Sequence, residues 1–219
     1  MPNYAWNAAV IEGNKEAYDL VKCALTGEGE NIVFDFSKII PLPQHMEKFS
    51  APVKVVPDKE FEQYMQENYP EGLDTYEKND GIGLRQVPQS LHDKWIKESG
   101  CGDWYDFCSR NWGTKWSGWD VQIVDDKEAE GVIAIIFTTA WCAPIGIYEA
   151  LEIHFPGCRV HSGVIYEDGM EPDFLAGDEN LFDKEFTLKE EKIYYDDDSE
   201  NEDECDDYYV NRWWAPALS

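Results

Sequence analysis

Positive charge is what this sequence has least of. It holds 18 Lys and Arg against 45 Asp and Glu, a formal net charge of −27 over 219 residues. Sequence-independent binding to DNA or RNA needs cations that displace the counterions around phosphates, so this balance disfavours it. An anionic membrane surface is repelled for the same reason, over about a Debye length. What the charge favours is solubility or a basic partner.

Other absences exclude further classes. No apolar run reaches the ~18 residues of a membrane helix. The opening Met1-Pro2-Asn3-Tyr4-Ala5-Trp6 has neither the basic nor the apolar stretch of a secretory signal. Cys23, Cys101, Cys108, Cys142, Cys158 and Cys205 are therefore expected to be reduced thiols in a cytoplasm. There is no Gly-rich phosphate loop, no nucleophile elbow and no His-Glu-x-x-His. Cys142, His154, Cys158 and His161 look like a metal set when written together, but their spacing matches no usual zinc pattern. No cofactor or metal site is expected. Carboxylates are so numerous that no acid pair stands out.

Aromatics are plentiful. Phe, Trp and Tyr make up 14% of the chain, with 9 Trp and 12 Tyr. Disordered chains are poor in such residues, and this length buries a core without disulfides.

Along the chain, Tyr4 to Ile11 reads as a strand and Lys15 to Leu25 as a helix, with apolar residues at Ala17, Leu20, Val21, Ala24 and Leu25. Asn31 to Lys38 alternates like a strand and runs into Ile40-Pro41-Leu42-Pro43, which cannot continue a central strand. Residues 44–99 read as a mainly helical insertion, with helix-prone stretches from Asp58 to Asn68 and from Ser90 to Glu98, Ser90 serving as cap. Asp103 caps a short helix to Arg110. Trp119 to Val124 and Gly131 to Thr138 read as strands, the second apolar enough to be buried. A helix from Pro144 to His154, a strand from Arg159 to Tyr166 and a further strand from Phe186 to Tyr194 follow. This order predicts a two-layer α+β fold, an antiparallel sheet with helices on one face. The expected parts are 1–43 and 100–194 for the main domain, 44–99 for the insertion and 195–219 for an acidic and aromatic C-terminal tail.

Four stretches carry a family likeness: Met1-Pro2-Asn3-Tyr4 with Asn7; Trp104-Tyr105 leading into Asn111-Trp112-Gly113-Thr114-Lys115-Trp116; Phe137-Thr138-Thr139-Ala140-Trp141-Cys142-Ala143-Pro144; and Phe155-Pro156. In this order they resemble the YubB ferredoxin-like family and its Api92-like relatives over about Met1 to Lys192. The resemblance implies a ferredoxin-like domain and a phage, plasmid or other mobile-element setting in a bacterial cytoplasm. It implies no catalytic residues. Tyr4 stands where relatives often carry Trp, and the acidic tail is not part of the pattern.

Two candidate regions remain. In Trp112-Gly113-Thr114-Lys115-Trp116, Gly113 permits a tight connection and Lys115 is placed to lie across an aromatic ring, so the block is either a structural corner or a binding platform. Thr139 and Trp141 stand where a strand meets a helix, with Thr139 as a candidate cap. The second region is Asp196, Asp197, Asp198, Glu200, Glu202, Asp203, Glu204, Asp206 and Asp207, followed by Trp213 and Trp214. It is either a solvated tail or a decoy whose carboxylates enter a channel built for nucleic acid, and the aromatics either dock the end of the chain back onto the body or serve as anchors on a partner. The leading expectation is an acidic interaction protein that blocks a basic host protein or a ribonucleoprotein defence complex. The alternatives are a ferredoxin-like nucleic-acid-binding module using exposed aromatics and an enzyme of unidentified chemistry.

Overall fold

The structure, a computed structural model, describes residues 3–29, 31–78, 81–167, 173–194 and 208–217. In chain order the elements are β1 (Tyr4–Glu12), α1 (Lys15–Ala24), β2 (Leu25–Thr26), β3 (Val33–Phe34), β4 (Phe49–Val56), α2 (Asp58–Asn68), β5 (Leu84–Pro88), α3 (Gln89–Ser99), α4 (Trp104–Asn111), β6 (Trp119–Lys127), β7 (Val132–Ala140), α5 (Ile145–His154), β8 (Arg159–Tyr166), β9 (Asp173–Ala176), α6 (Glu179–Glu185), β10 (Phe186–Tyr194) and β11 (Tyr208–Pro216). The chain forms two compact units. One comprises Met1–Ile39 and Trp116–Ser219, the other Ile40–Lys115.

The first unit is a mixed α+β body around a five-stranded antiparallel sheet in the order β6-β7-β1-β8-β9. β1 runs down its centre, pairing with β7 on one side and β8 on the other. Side chains alternate across a strand, so β1 sorts its residues onto two faces. The odd face carries Ala5, Asn7, Ala9 and Ile11, opposite Thr139, Phe137, Ile135 and Ile133 of β7, and all are buried. Ala143, at the entry to α5, packs there on Ala5 and Val164.

The even face has a different cover. Phe182 of α6 and Phe186 of β10 form a core with Ala8, Val10 and Ala134, and Trp214 of β11 packs against it. Each ring so buried is worth about 1.5–3 kcal/mol. Gly163, opposite Ala8 in the ladder, makes room for them. A Cβ there would stand 2.9 Å from Phe182 Cζ and 3.0 Å from Trp214 Cζ2. Lys127 of β6 ties α6 down, bonding Glu185 at 3.0 Å as well as Asp125.

Turns at one end of the sheet are locked together. Gly13 N–H donates to Gly131 O at 3.0 Å, and Asn14 caps α1 by accepting from Ala17 N–H. Gly131 has φ +69°, and a Cβ there would lie 2.1 Å from Gly13 O. Glycine alone fits that crossing.

The second unit has β4 and β5 as a parallel pair with α2 between them, followed by α3 and α4. The stretch expected to be mainly helical therefore includes a small sheet, and α4 belongs to this unit. Phe49, Phe61, Leu84, Val87 and Trp95 are buried in it. Trp95 Nε1 donates to Gln44 O at 2.9 Å.

Three local expectations change. Asn31 to Lys38 pairs only at Val33–Phe34, because the Asp35 carboxylate accepts from Ser37 N–H and turns the chain into a short 3-10 helix. Ser90 does not cap α3: Pro88 stands at that position, and Ser90 N–H donates to Asp58 Oδ1 instead. Thr139 does not cap α5: it is fully buried, its hydroxyl donating to Cys142 O at 2.7 Å and accepting from Asn7 Nδ2 at 2.9 Å. Among the described residues no helix is long and apolar enough to cross a membrane.

Candidate functional site

The acidic residues Asp196, Asp197, Asp198, Glu200, Glu202, Asp203, Glu204, Asp206 and Asp207 lie outside the described residues. Their flanks are described. Tyr194 and Tyr208 are partners in the antiparallel ladder of β10 and β11. The run is thus bracketed by two paired strands, and the chain continues past it into β11. Trp213 pairs with Lys189 in the ladder, and its side chain is outside the described set. Trp214 is half-buried on the chain's own sheet, against Gly163.

The block from Trp112 to Trp116 is divided. Trp112 is buried, its Nε1 donating to Ile40 O at 2.9 Å and its ring edge-on to Phe107. Thr114 is buried and Gly113 takes φ +86°. Lys115 lies 5.9 Å from the Trp104 ring and 5.8 Å from that of Tyr105, so α4 supplies aromatic partners for it. Trp116 belongs to the other unit and is 40% exposed. Trp141, at φ +70°, donates its N–H to Asn3 O and is 41% exposed.

Trp116 joins a group that the motif reading missed. Its ring is 6.4 Å from Trp119, Trp119 is 5.9 Å from Tyr4, and Tyr4 is 6.5 Å from Trp6, with interplanar angles of 65°, 75° and 66°. The register explains the grouping. Trp119 pairs with Thr138, Thr138 with Trp6, and Trp6 with Ile165, so they share the even face across four strands. That face is therefore split: α6, β10 and β11 cover Ala8, Val10 and Gly163, while the aromatic row occupies the part beyond. The alternation of Tyr4 and Trp6 within the first strand was the available signal. Glu167 closes the row at Tyr4, its Oε2 accepting from Tyr4 N–H at 2.7 Å while its own N–H donates to Tyr4 O.

The charge is unevenly divided. Half of the chain's 18 basic residues lie within 40–115, together with fewer than a third of its 45 acids. The unit with the aromatic row thus carries most of the −27. Several of its cations are already paired: Lys15 with Asp19 and Glu128, Lys22 with Asp126, and Lys127 with Asp125 and Glu185.

Among the described residues the titratable groups with shifted values do not converge on a reactive centre. Burial pushes the Cys108 thiol up to about 12 and that of Cys158 to about 11, and Cys101 also rises, mainly by burial. A nucleophilic cysteine requires the opposite shift. The Tyr18 hydroxyl is pushed up to about 12, first by its hydrogen bond to Asp126. Among the described residues no group of three or more His, Cys, Asp or Glu could hold a metal ion. Tyr64, Tyr69, Tyr76 and Arg85 line a cleft of about 410 Å³, where Tyr76 Oη already donates to Ile82 O.

Compared with protein-family models, with curated proteins and with solved structures, the chain matches none.

Proposed function

We propose that the chain is an acidic interaction protein that binds and blocks a basic host protein or a nucleic-acid-handling, defence-type complex. The observation that carries this reading is the position of nine carboxylates between Tyr194 and Tyr208, which are ladder partners. Nine carboxylates within twelve residues of sequence are drawn to a basic channel built for phosphates, and their charge speeds encounter by steering.

The fold reading belongs to the same proposal. The succession β1-α1, β6-β7-α5-β8, with sheet order β6-β7-β1-β8, supports a ferredoxin-like plan. The motif stretches around Trp112 and Trp141 support membership in the YubB-like family and hence a mobile-element setting. In that plan a nucleic-acid module stacks bases on the open sheet face. Here Phe182 and Trp214 occupy the middle of that face, which favours a protein partner.

The test is an affinity capture from bacterial lysate with the immobilised full chain, at low and at moderate salt. The expected result is one or two basic proteins or ribonucleoproteins in stoichiometric amount, reduced by salt and lost when the nine carboxylates become amides. Capture that ignores both changes, or no stoichiometric capture, overturns the proposal.

A further inference from the structure

We infer that the row Trp6–Tyr4–Trp119–Trp116 is a docking surface for arginine or lysine side chains of a basic partner segment. This deepens the reading of the chain as a ligand of basic partners and rests on it. Three observations point to a cation. First, successive rings stand edge to face at 65–75°, so the row alternates ring faces with ring edges and each ring keeps one face that its neighbour's edge in the row does not cover. A guanidinium or ammonium over such faces is attracted by the ring quadrupole. Second, a carboxylate stands beside the row, held in place because Glu167 Oε2 accepts from Tyr4 N–H at 2.7 Å. Third, the unit is strongly anionic, which opposes phosphate and draws cations.

The row is also reachable. Trp116 is 40% exposed, and Tyr4, Trp6 and Trp119 are half-buried. The half-buried rings are backed by the ladder, so little order is lost when a ligand arrives. Arginine fits better than lysine, since its planar head stacks on an aromatic face and is more weakly hydrated.

The experiment titrates the full chain with a short arginine-rich peptide while following indole N–H signals by NMR, alongside a lysine-rich peptide and a single-stranded RNA oligonucleotide. The expected result is movement of the Trp6, Trp116 and Trp119 signals, tighter binding of the arginine peptide, and an about five- to tenfold loss of affinity in Trp116→Ala and in Glu167→Gln. Trp116 is 40% exposed and glutamine retains an oxygen for Tyr4 N–H, so both variants are expected to fold, which their urea midpoints check. A chain whose carboxylates at 196–207 are amidated should still move the three signals.

If the peptide binds wild type and both variants equally, with the three signals still, the cation site lies elsewhere. That overturns this inference and leaves the proposed function standing. If no cationic peptide binds, both fall. If the oligonucleotide moves the three signals and the peptides do not, the row is a base-stacking surface and the inference is overturned.

Discussion

Trp214 lies against Gly163. Its Cζ2 is 3.0 Å from where a Cβ on that glycine would stand, and Phe182 Cζ is 2.9 Å away on the same side. A position in β8 and a ring near the end of the chain are thus fitted to one another. The contact lays α6 and the β10–β11 hairpin on a sheet face that is otherwise open at its centre.

Gly163→Val is expected to destabilise by about 1–3 kcal/mol, because overpacking must move one ring or the other. Gly163→Ala should cost less, since it adds one methyl group where valine adds three carbons. Urea unfolding measures the first effect. Amide exchange measures the second consequence, a faster opening of β10 and β11 that leaves β1 and β7 protected. An unchanged exchange pattern in Gly163→Val would show that Trp214 does not hold the hairpin on the sheet.

The crossing of Gly13 and Gly131 makes a sharper comparison. Gly131→Ala puts a Cβ 2.1 Å from a backbone oxygen, on top of a φ of +69°. Gly157 has φ +90° and open space around it. Gly157→Ala is expected to cost about 1–2 kcal/mol, the left-handed strain alone. Gly131→Ala should cost clearly more, because backbone must shift. Equal losses in thermal or urea unfolding would mean that the two turns are not locked as described.

The pair Tyr18 and Asp126 predicts opposite limbs of a pH profile. The Asp126 carboxyl is held below its ordinary value, first by its hydrogen bond with Lys22 and then by that with Tyr18. A depressed carboxyl contributes stability above its unfolded value, about 3.9, and loses it as pH falls through the lower folded value. Tyr18 is raised from 10.0 to about 12. Its contribution is complete below pH 10 and is lost as pH rises towards 12. Asp126→Asn should flatten both limbs of the urea midpoint against pH relative to wild type. A variant that keeps both slopes refutes the coupling.

Thiol reactivity gives a direct reading of the core. Cys23 and Cys142 are exposed, whereas Cys101, Cys108 and Cys158 are buried, with thiols raised by burial. In a Cys205→Ser background, a disulfide reagent at pH 8 is expected to modify Cys23 and Cys142 in the native protein. The other three should react only after unfolding. Fast modification of Cys108 in the native state would contradict the packing of α4.

Legibility in the sequence follows the range of the interactions. The helix read over Lys15 to Leu25, the apolar strand over Gly131 to Thr138 and the helix over Pro144 to His154 rest on local pattern and are present at Lys15–Ala24, Val132–Ala140 and Ile145–His154, and Asp103 caps the helix it is expected to cap. The turn at Gly113 was visible for the same reason. What Lys115 faces was not, since Trp104 and Tyr105 arrive by the fold of α4. The aromatic row was missed because Trp119 and Tyr4 become neighbours only through the β6–β7–β1 register. Whether Trp213 and Trp214 return to the body or meet a partner stays open in the sequence, because the residue that Trp214 packs against, Gly163, has no side chain to mark it.

His161 supplies the last prediction. It is 4% exposed, and its Nδ1 accepts from Asp178 N–H at 2.6 Å, at the bend that leads into α6. An accepting Nδ1 places the ring proton on Nε2, which faces Glu12 Oε1 at 3.5 Å. His161→Leu removes the acceptor and is expected to cost about 1 kcal/mol, with faster amide exchange at Asp178. His161→Asn offers an oxygen near the same place and should restore much of that protection. The comparison separates a hydrogen-bonding role from simple filling of the site, because leucine fills it and asparagine bonds. Equal exchange at Asp178 in the two variants would show that the histidine acts by volume alone.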